Sequence, residues 1–192
     1  DNLCDQHFLA THSRDQHGRY CVRLPFKKEH PPLGHSLSSA ESRLHSLERK
    51  FKTQPQFKDL YSDFMADYLS SGHMELAQEI DLKSPHYFLP HHGVLKESSS
   101  TTRLRTVFDA SAKTSNDISL NDILLTGKKL QTNICDLLLI FRTHNVVFSC
   151  DIRQKYRQIK VHPEDQQHQL ILWRENLDQP IMTYKLTTVT YG

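Results

Sequence analysis

A chain of 192 residues that is 37% hydrophobic and 24% charged, with 24 basic side chains against 22 acidic ones, has the make-up of a globular protein. Collagen, coiled coil and wholesale disorder are excluded, and the length allows one domain or two small ones around a real core. No run approaches the ~18 apolar residues of a membrane span, and a formal net charge of +2 does not by itself mark a nucleic-acid binder.

The first residues, Asp1 to His7, are polar and lack Met, so they read as neither a signal peptide nor a translation start but as part of something longer. Arg19-Tyr20-Cys21-Val22-Arg23-Leu24 has the pattern of a short strand ended by Pro25, and Pro31 to Gly34 reads as a loop. Ser38 and Glu41 have capping-box spacing. With Ala40, Leu44, Leu47 and Phe51 at helical intervals, they predict a helix from about Ser39 to Lys52. Pro55 opens a second helix, whose aromatic stripe of Phe57, Leu60, Tyr61, Phe64 and Tyr68 reads as core packing and stops at Ser71-Gly72.

Tyr87 to Leu89 and Val94-Leu95 are predicted to face Leu104 to Phe108 in a hairpin with a polar, Ser/Thr-rich tip. Lys96, Arg103, Arg105 and Lys113 outnumber Glu97 and Asp109 in this region, and a solvated basic face is the ordinary meaning of such a run. Leu130, Ile134, Leu137, Leu138 and Phe141 predict a third helix ending near His144-Asn145. Val146 to Cys150 is β-branched and apolar, the pattern of a short buried strand that delivers Asp151 at its end. A turn and strand are expected over Tyr156 to Val161, a helical turn from His162 to Asp165, and strands at Leu170 to Trp173 and Ile181 to Leu186. Helices first and strands later, without regular alternation, indicate an α+β fold.

Few residues suggest chemistry by themselves. A carboxylate at the end of a buried strand suits a hard cation, although capping the next turn is the commoner role for a lone Asp151. His91 and His92 are adjacent on a strand, so they point to opposite faces and cannot share a metal. His7, His12 and His17 lack zinc spacing, and there is neither a nucleophile triad context nor a phosphate-cradling glycine loop. Cys4, Cys21, Cys135 and Cys150 form no Cys-x-x-Cys pair, so reduced, intracellular thiols are expected rather than a zinc ribbon or a disulfide scaffold.

Ten segments, taken in order, carry a family resemblance: Phe8 to Thr11, Gly18 to Tyr20, Leu24 to Phe26, Gly72 to Met74, Leu89 to Val94, Arg105 to Ser111, Ser119 to Asp122, Tyr156 to Ile159, Ile171 to Arg174 and Thr188 to Gly192. In that order the chain resembles the reverse transcriptases of Bel–Pao long-terminal-repeat retrotransposons. The resemblance implies a right-hand polymerase: a polyprotein linker over 1–17, a fingers-like region over 18–129, and the N-terminal part of the palm over 130–192, truncated before the Tyr-x-Asp-Asp turn. It implies an RNA-directed DNA polymerase fragment, inactive alone, whose full-length parent performs two-Mg²⁺ nucleotidyl transfer on an RNA/DNA template-primer with deoxynucleoside triphosphates. The other expected partner is the rest of the polyprotein, no membrane is involved, and the expected location is a cytoplasmic virus-like particle or the nucleus.

By the same resemblance, Asp151 is the first catalytic aspartate and holds Mg²⁺ with the backbone carbonyl of Ile152. Tyr156 is the steric gate against a 2′-hydroxyl, with ordinary core packing as its alternative. Arg105 clamps the triphosphate and stacks on the base, using a bidentate, planar guanidinium. Lys96 is the accompanying phosphate lysine or else a solvated turn lysine. Tyr191 and Gly192 lie where related polymerases touch the new base pair, with a plain turn glycine as the alternative for Gly192. Lys155 departs from the family, standing where a bulky apolar residue is expected. A non-catalytic nucleic-acid-binding remnant, or a remnant without function, is the alternative.

Overall fold

The computed structural model describes residues 2–78, 80, 83–96 and 103–190. Helix α1 (Asn2–Thr11) leads into strands β1 (Ser13–Arg14) and β2 (Tyr20–Val22), and then come helices α2 (Leu37–Thr53) and α3 (Pro55–Ser70). Strand β3 (Met74–Leu76) precedes the hairpin of β4 (His91–Leu95) and β5 (Leu104–Phe108), the short α4 (Leu120–Ile123) and α5 (Ile134–Arg142). After a 3₁₀ turn at Tyr156–Gln158 come β6 (Lys160–Val161), a second 3₁₀ turn at Pro163–His168, β7 (Leu170–Trp173) and β8 (Met182–Leu186).

The strands form small sheets in the orders β1-β2-β6, β3-β8-β7 and β4-β5. Within the first, β2 pairs with β6 in parallel, Cys21 opposite Lys160 and Val22 opposite Val161. A bridge between Lys160 and Thr188 ties that sheet to the chain leaving β8. The segment 1–17, expected as a linker, is largely structured: α1 stacks Phe8 on His12 at 4.4 Å, and both rings pack near Tyr20. Lys160 hydrogen-bonds the Asp15 carboxylate and holds its pKa down at about 2, fixing the β1–β2 turn to β6.

The core lies between α2, α3, the hairpin and β7–β8. Its aromatic centre is formed by Phe57, Tyr61, Tyr68, Phe108 and Trp173, all buried, with Ala40, Leu44 and Leu47 supplied by α2 at helical spacing. Each fully buried Leu or Phe among them contributes roughly 1.5–3 kcal/mol by burial. Gly93 on β4 is required by close approach, because a Cβ there would stand 2.8 Å from both the Phe57 ring and Leu104. Gly72 takes φ +68° to turn the chain out of α3 into β3.

Buried charges are paired and join distant elements. The Glu48 carboxylate of α2 accepts from Arg174 Nε at 2.6 Å and Nη2 at 3.0 Å, locking α2 to the end of β7. Burial pushes the Glu48 pKa up, but hydrogen bonds from Arg174 and His45 outweigh it, and the group stays below its ordinary value. Asp165, only 3% exposed, accepts from Arg23 Nε and Nη2, each at 2.8 Å, and from the Leu24 backbone N–H at 2.7 Å. Arg157 lies over the rings of Tyr68 and Phe64 and reaches Asp67 at 3.3 Å.

Several local expectations are corrected. Helix α2 begins at Leu37 with Ser36 as N-cap, so Ser38 and Glu41 lie inside it and form no capping box there. The Ser36 hydroxyl instead accepts the Phe88 backbone N–H at 2.8 Å. Tyr87 to Leu89 is not part of the hairpin: Phe88 bridges Leu170 in parallel, and Leu89 N–H donates to the Leu170 carbonyl. The hairpin tip over 97–102 lies outside the described residues. Val146 to Cys150 forms no strand, and Val146 and Phe148 are each 85% exposed. A strand needs a neighbour to take its backbone hydrogen bonds, and no described strand pairs with this run. Helix α5 is likewise exposed along its length, with Leu138, Leu139 and Ile140 facing outward.

Candidate functional site

The β4–β5 ladder sets His91 opposite Phe108, His92 opposite Val107, Gly93 opposite Thr106, Val94 opposite Arg105 and Leu95 opposite Leu104. Opposed residues share a face and successive residues alternate. His91, Gly93, Leu104, Thr106 and Phe108 therefore form the inner face, and His91, Leu104, Thr106 and Phe108 are buried. The outer face carries His92, Val94, Arg105 and Val107, with Val94 and Arg105 exposed. Lys96 N–H donates to the Arg103 carbonyl at 2.9 Å, which carries the pairing one step further. Lys96, Arg103 and Arg105 thus gather on one side by register alone, and no carboxylate belongs to 91–96 or 103–108.

Arg103 was not singled out as a site residue from sequence. Its signal was present: a basic residue two positions before Arg105 occupies the same strand face. The inner face explains the rigidity of this platform. The buried His91 ring bridges Tyr61 of α3 and the Leu172 carbonyl of β7, at 2.5 and 2.8 Å. A carbonyl only accepts, so Nε2 donates to Leu172 and Nδ1 accepts the Tyr61 hydroxyl proton. Burial lowers the His91 pKa to about 4 and raises that of Tyr61.

Asp151 and Ile152 lie in the chain between α5 and the 3₁₀ turn, without regular secondary structure, and both are exposed. Gln154 then takes a left-handed φ of +52°, reversing the chain just before Tyr156 opens the turn at Tyr156–Gln158. A non-glycine residue there costs about 1–2 kcal/mol, so the surrounding turn must hold it. Tyr156 is 46% exposed; ordinary core packing is not its role. Lys96 and Arg105 therefore sit on one element, and Asp151, Ile152 and Tyr156 on another. Tyr191 and Gly192 lie outside the described residues.

The donor set falls short of the implied Mg²⁺ centre. This cation takes near-octahedral oxygen ligands, and a two-ion centre needs more than one carboxylate to neutralise it. Asp151 offers one carboxylate and Ile152 one carbonyl, and among the described residues no three His, Cys, Asp or Glu side chains are grouped to hold a metal. These residues do not make up a two-ion centre, and no catalytic step is derived from them. Among the described residues no helix is long and apolar enough to cross a membrane.

Ser119 and Asp122, the ends of one resemblance segment, have a local role the sequence reading did not give them, the capping box of α4: the Ser119 side chain accepts the Asp122 N–H, and the Asp122 carboxylate accepts the Ser119 N–H at 2.8 Å. Lys113 bonds the same carboxylate and holds its pKa well below the usual carboxylate range. The spacing Ser-x-x-Asp was the available signal. This cluster anchors the chain that follows β5 and has no free acceptor role of its own. Neither a protein-family model nor a curated protein matches this chain.

Proposed function

We propose that this chain is the fingers and partial palm of an RNA-directed DNA polymerase of the Bel–Pao retrotransposon type, and that its own contribution is to hold nucleic-acid and nucleotide phosphates on the outer face of the β4–β5 hairpin. The observation that carries the reading is the convergence of Lys96, Arg103 and Arg105 on one face of the hairpin, whose described strands carry no carboxylate. Cations arranged in this way hold phosphates, and guanidinium adds a bidentate contact and a flat stacking surface. The ordered motif segments from Phe8 to Gly192 support the family assignment. In the parent, Asp151 and the Ile152 carbonyl would supply part of the oxygen ligand set for Mg²⁺, a cation that would polarise phosphate oxygens there. Tyr156 is the proposed gate beneath the sugar. The parent element acts in a cytoplasmic particle or in the nucleus, with the remaining polyprotein as partner.

A non-catalytic nucleic-acid-binding role is the second reading, and it rests on the same basic hairpin face. The test for the shared part is fluorescence anisotropy of a labelled RNA/DNA template-primer against the 192-residue chain from low to moderate salt. Neutralising Lys96 and Arg105 together should flatten the log–log salt slope by about 1.8, at roughly 0.9 per lost duplex phosphate contact. An unchanged slope rules out the hairpin face as the phosphate platform. Primer extension by a longer chain that includes the Tyr-x-Asp-Asp turn separates the polymerase reading from the binding one.

A further inference from the structure

Helix α5 and the chain that follows it carry much of the bared apolar surface of this molecule. Of the 21 large apolar side chains exposed among the described residues, 10 fall between Leu130 and Ile152. No residue of α5 is buried, although Asp136 and Arg142 are its only charged groups. A helix apolar on nearly every side is ordinarily covered. A bared Leu or Phe side chain offers about 100 Å² of apolar surface, so this arm presents on the order of 600 Å². That is the upper end of the roughly 300–600 Å² of the largest patch on a typical monomer. A homodimer interface of ~800 Å² a side that is ~65% apolar needs about 500 Å² of such surface.

Area does not choose the partner, but the composition of the arm does. The stretch from His144 to Cys150 holds no Asp, Glu, Lys, Arg, Pro or Gly, and Val146, Val147 and Phe148 at its centre favour strands. Short segments of this make-up are the ones that pair with copies of themselves. Proteins commonly blunt an open strand with lysine or proline, and this stretch has neither. From Val146 to Cys150 no backbone N–H or C=O is bonded to another backbone group among the described residues. A strand-forming run thus stands in water with both of its edges open.

We propose that the arm from α5 to Cys150 is a self-association surface and that a second copy of this chain is its partner. Val146 to Cys150 of the two copies pair antiparallel about a two-fold axis at Phe148, with Val146 opposite Cys150, Val147 opposite Ser149 and Phe148 opposite itself. Phe148 is the midpoint of the run, so this register pairs all five residues and sets Asp151 against Asn145 rather than against another carboxylate. It also places one aromatic ring across from the other, a favourable cross-strand pair. Each copy gives the other the strand neighbour that its own chain does not supply. A two-fold antiparallel pair is closed, whereas parallel in-register stacking continues without end. Helix α5 ends at Arg142, a few residues before Val146, and is carried to the same interface. The pairing does not rest on the polymerase reading, since the hairpin face takes no part in it.

The experiment is sedimentation velocity of the full 192-residue chain from about 1 to 100 μM, since interfaces of this size reach micromolar affinity or better. A reversible monomer–dimer equilibrium is expected. A chain that stays monomeric throughout overturns the proposal and leaves the arm to be covered by a different protein. Assemblies that grow past the dimer overturn the closed two-fold pair. Phe148→Lys, an exposed change that sets like charges against each other, should weaken the dimer at least about tenfold and leave the urea midpoint of the dilute chain unaltered. Undiminished association of that variant overturns the run as the contact. The register is read by cross-linking in a chain carrying Cys135→Ser and Cys150→Ser. Adding Phe148→Cys should give a disulfide-linked dimer on mild oxidation in air, because the two sulfurs face each other across the axis. Adding Val146→Cys instead should not, because its two copies stand about 13 Å apart, four strand steps of roughly 3.3 Å, beyond the ~7 Å reach of a disulfide. Equal linking at both positions overturns the antiparallel pairing.

Discussion

Acidification should unlock the His91 bridge, and the size of the effect follows from its surroundings. The neutral ring donates to Leu172 O through Nε2 and accepts from the Tyr61 hydroxyl at Nδ1. A second proton would have to sit on Nδ1, facing an O–H that already points at it, in a fully buried site beside His92. Burial, with a smaller contribution from His92, lowers the folded-state pKa from the ordinary 6.5 to about 4. The unfolded chain therefore takes up the proton first. Above pH ~6.5 neither state is protonated and the full stability is present; as pH falls from there toward 4, stability is lost at about 1.4 kcal/mol per pH unit, ~3 kcal/mol in all. Replacing His91 by Gln removes the titrating group and costs about 1–3 kcal/mol at pH 7.5 through poorer hydrogen bonding. Urea unfolding of both chains at pH 7.5, 6.5, 5.5 and 4.5 is the assay. The stability gap between them should close, and by pH 4.5 vanish or reverse. His73 and His168 are also lowered by burial, but they are common to both chains and cancel in the difference. A gap that stays constant over that range refutes the bridge as drawn.

Arg174→Ala should lower the melting temperature, since it removes both guanidinium hydrogen bonds to the Glu48 carboxylate and leaves His45 as its partner; adding Glu48→Gln should recover part of that loss in thermal melts. Gly93→Ala should cost roughly 1–3 kcal/mol by forcing a methyl against Phe57 and Leu104, and near-neutral melting would show that the hairpin does not press on α3 as described. Asp151→Asn should leave urea stability within about 0.5 kcal/mol, because the side chain is exposed. In a longer chain carrying the Tyr-x-Asp-Asp turn, the same change should abolish nucleotide incorporation while template-primer affinity stays within about twofold. Parallel loss of both would make Asp151 structural.

Helices α2 and α3 were legible because Ala40, Leu44 and Leu47, then Phe57, Tyr61 and Tyr68, repeat at the spacing of one helix face, and because Pro55 and Gly72 bound α3 chemically. The two hairpin strands were legible for a similar reason, but the partner of Tyr87 to Leu89 was not. Strand pattern says that a segment pairs and not with what, and Leu170 lies far along the chain. Val146 to Cys150 misled because an apolar, β-branched run looks the same whether or not another element covers it. Ser38 misled as the helix start, because the helix begins before it at Leu37 and the Ser36 hydroxyl that precedes the helix is taken by the Phe88 N–H. Of the site, the basic character of the hairpin could be read directly, while the addition of Arg103 to Lys96 and Arg105 needed the register. The meeting of His30, His86 and His168 around one cavity was invisible, since they share no motif and come together only through tertiary folding.

The parallel pairing of β2 with β6 also sets a timetable. Cys21 finds Lys160, and Arg23 finds Asp165 across 142 positions, so the N-terminal strand cannot be finished until most of the chain has left the ribosome. Closing a loop of that length costs roughly 4 kcal/mol in chain entropy, and the two-residue ladder offers little to offset it until Asp165 arrives with its hydrogen bonds to Arg23 and Leu24. During synthesis β2 is thus an open edge, with α2, α3 and the hairpin able to gather before it. A ribosome stalled short of Asp165 should present a nascent chain whose first residues are cut readily by protease, and release past that point should seal the N-terminal segment in a late step.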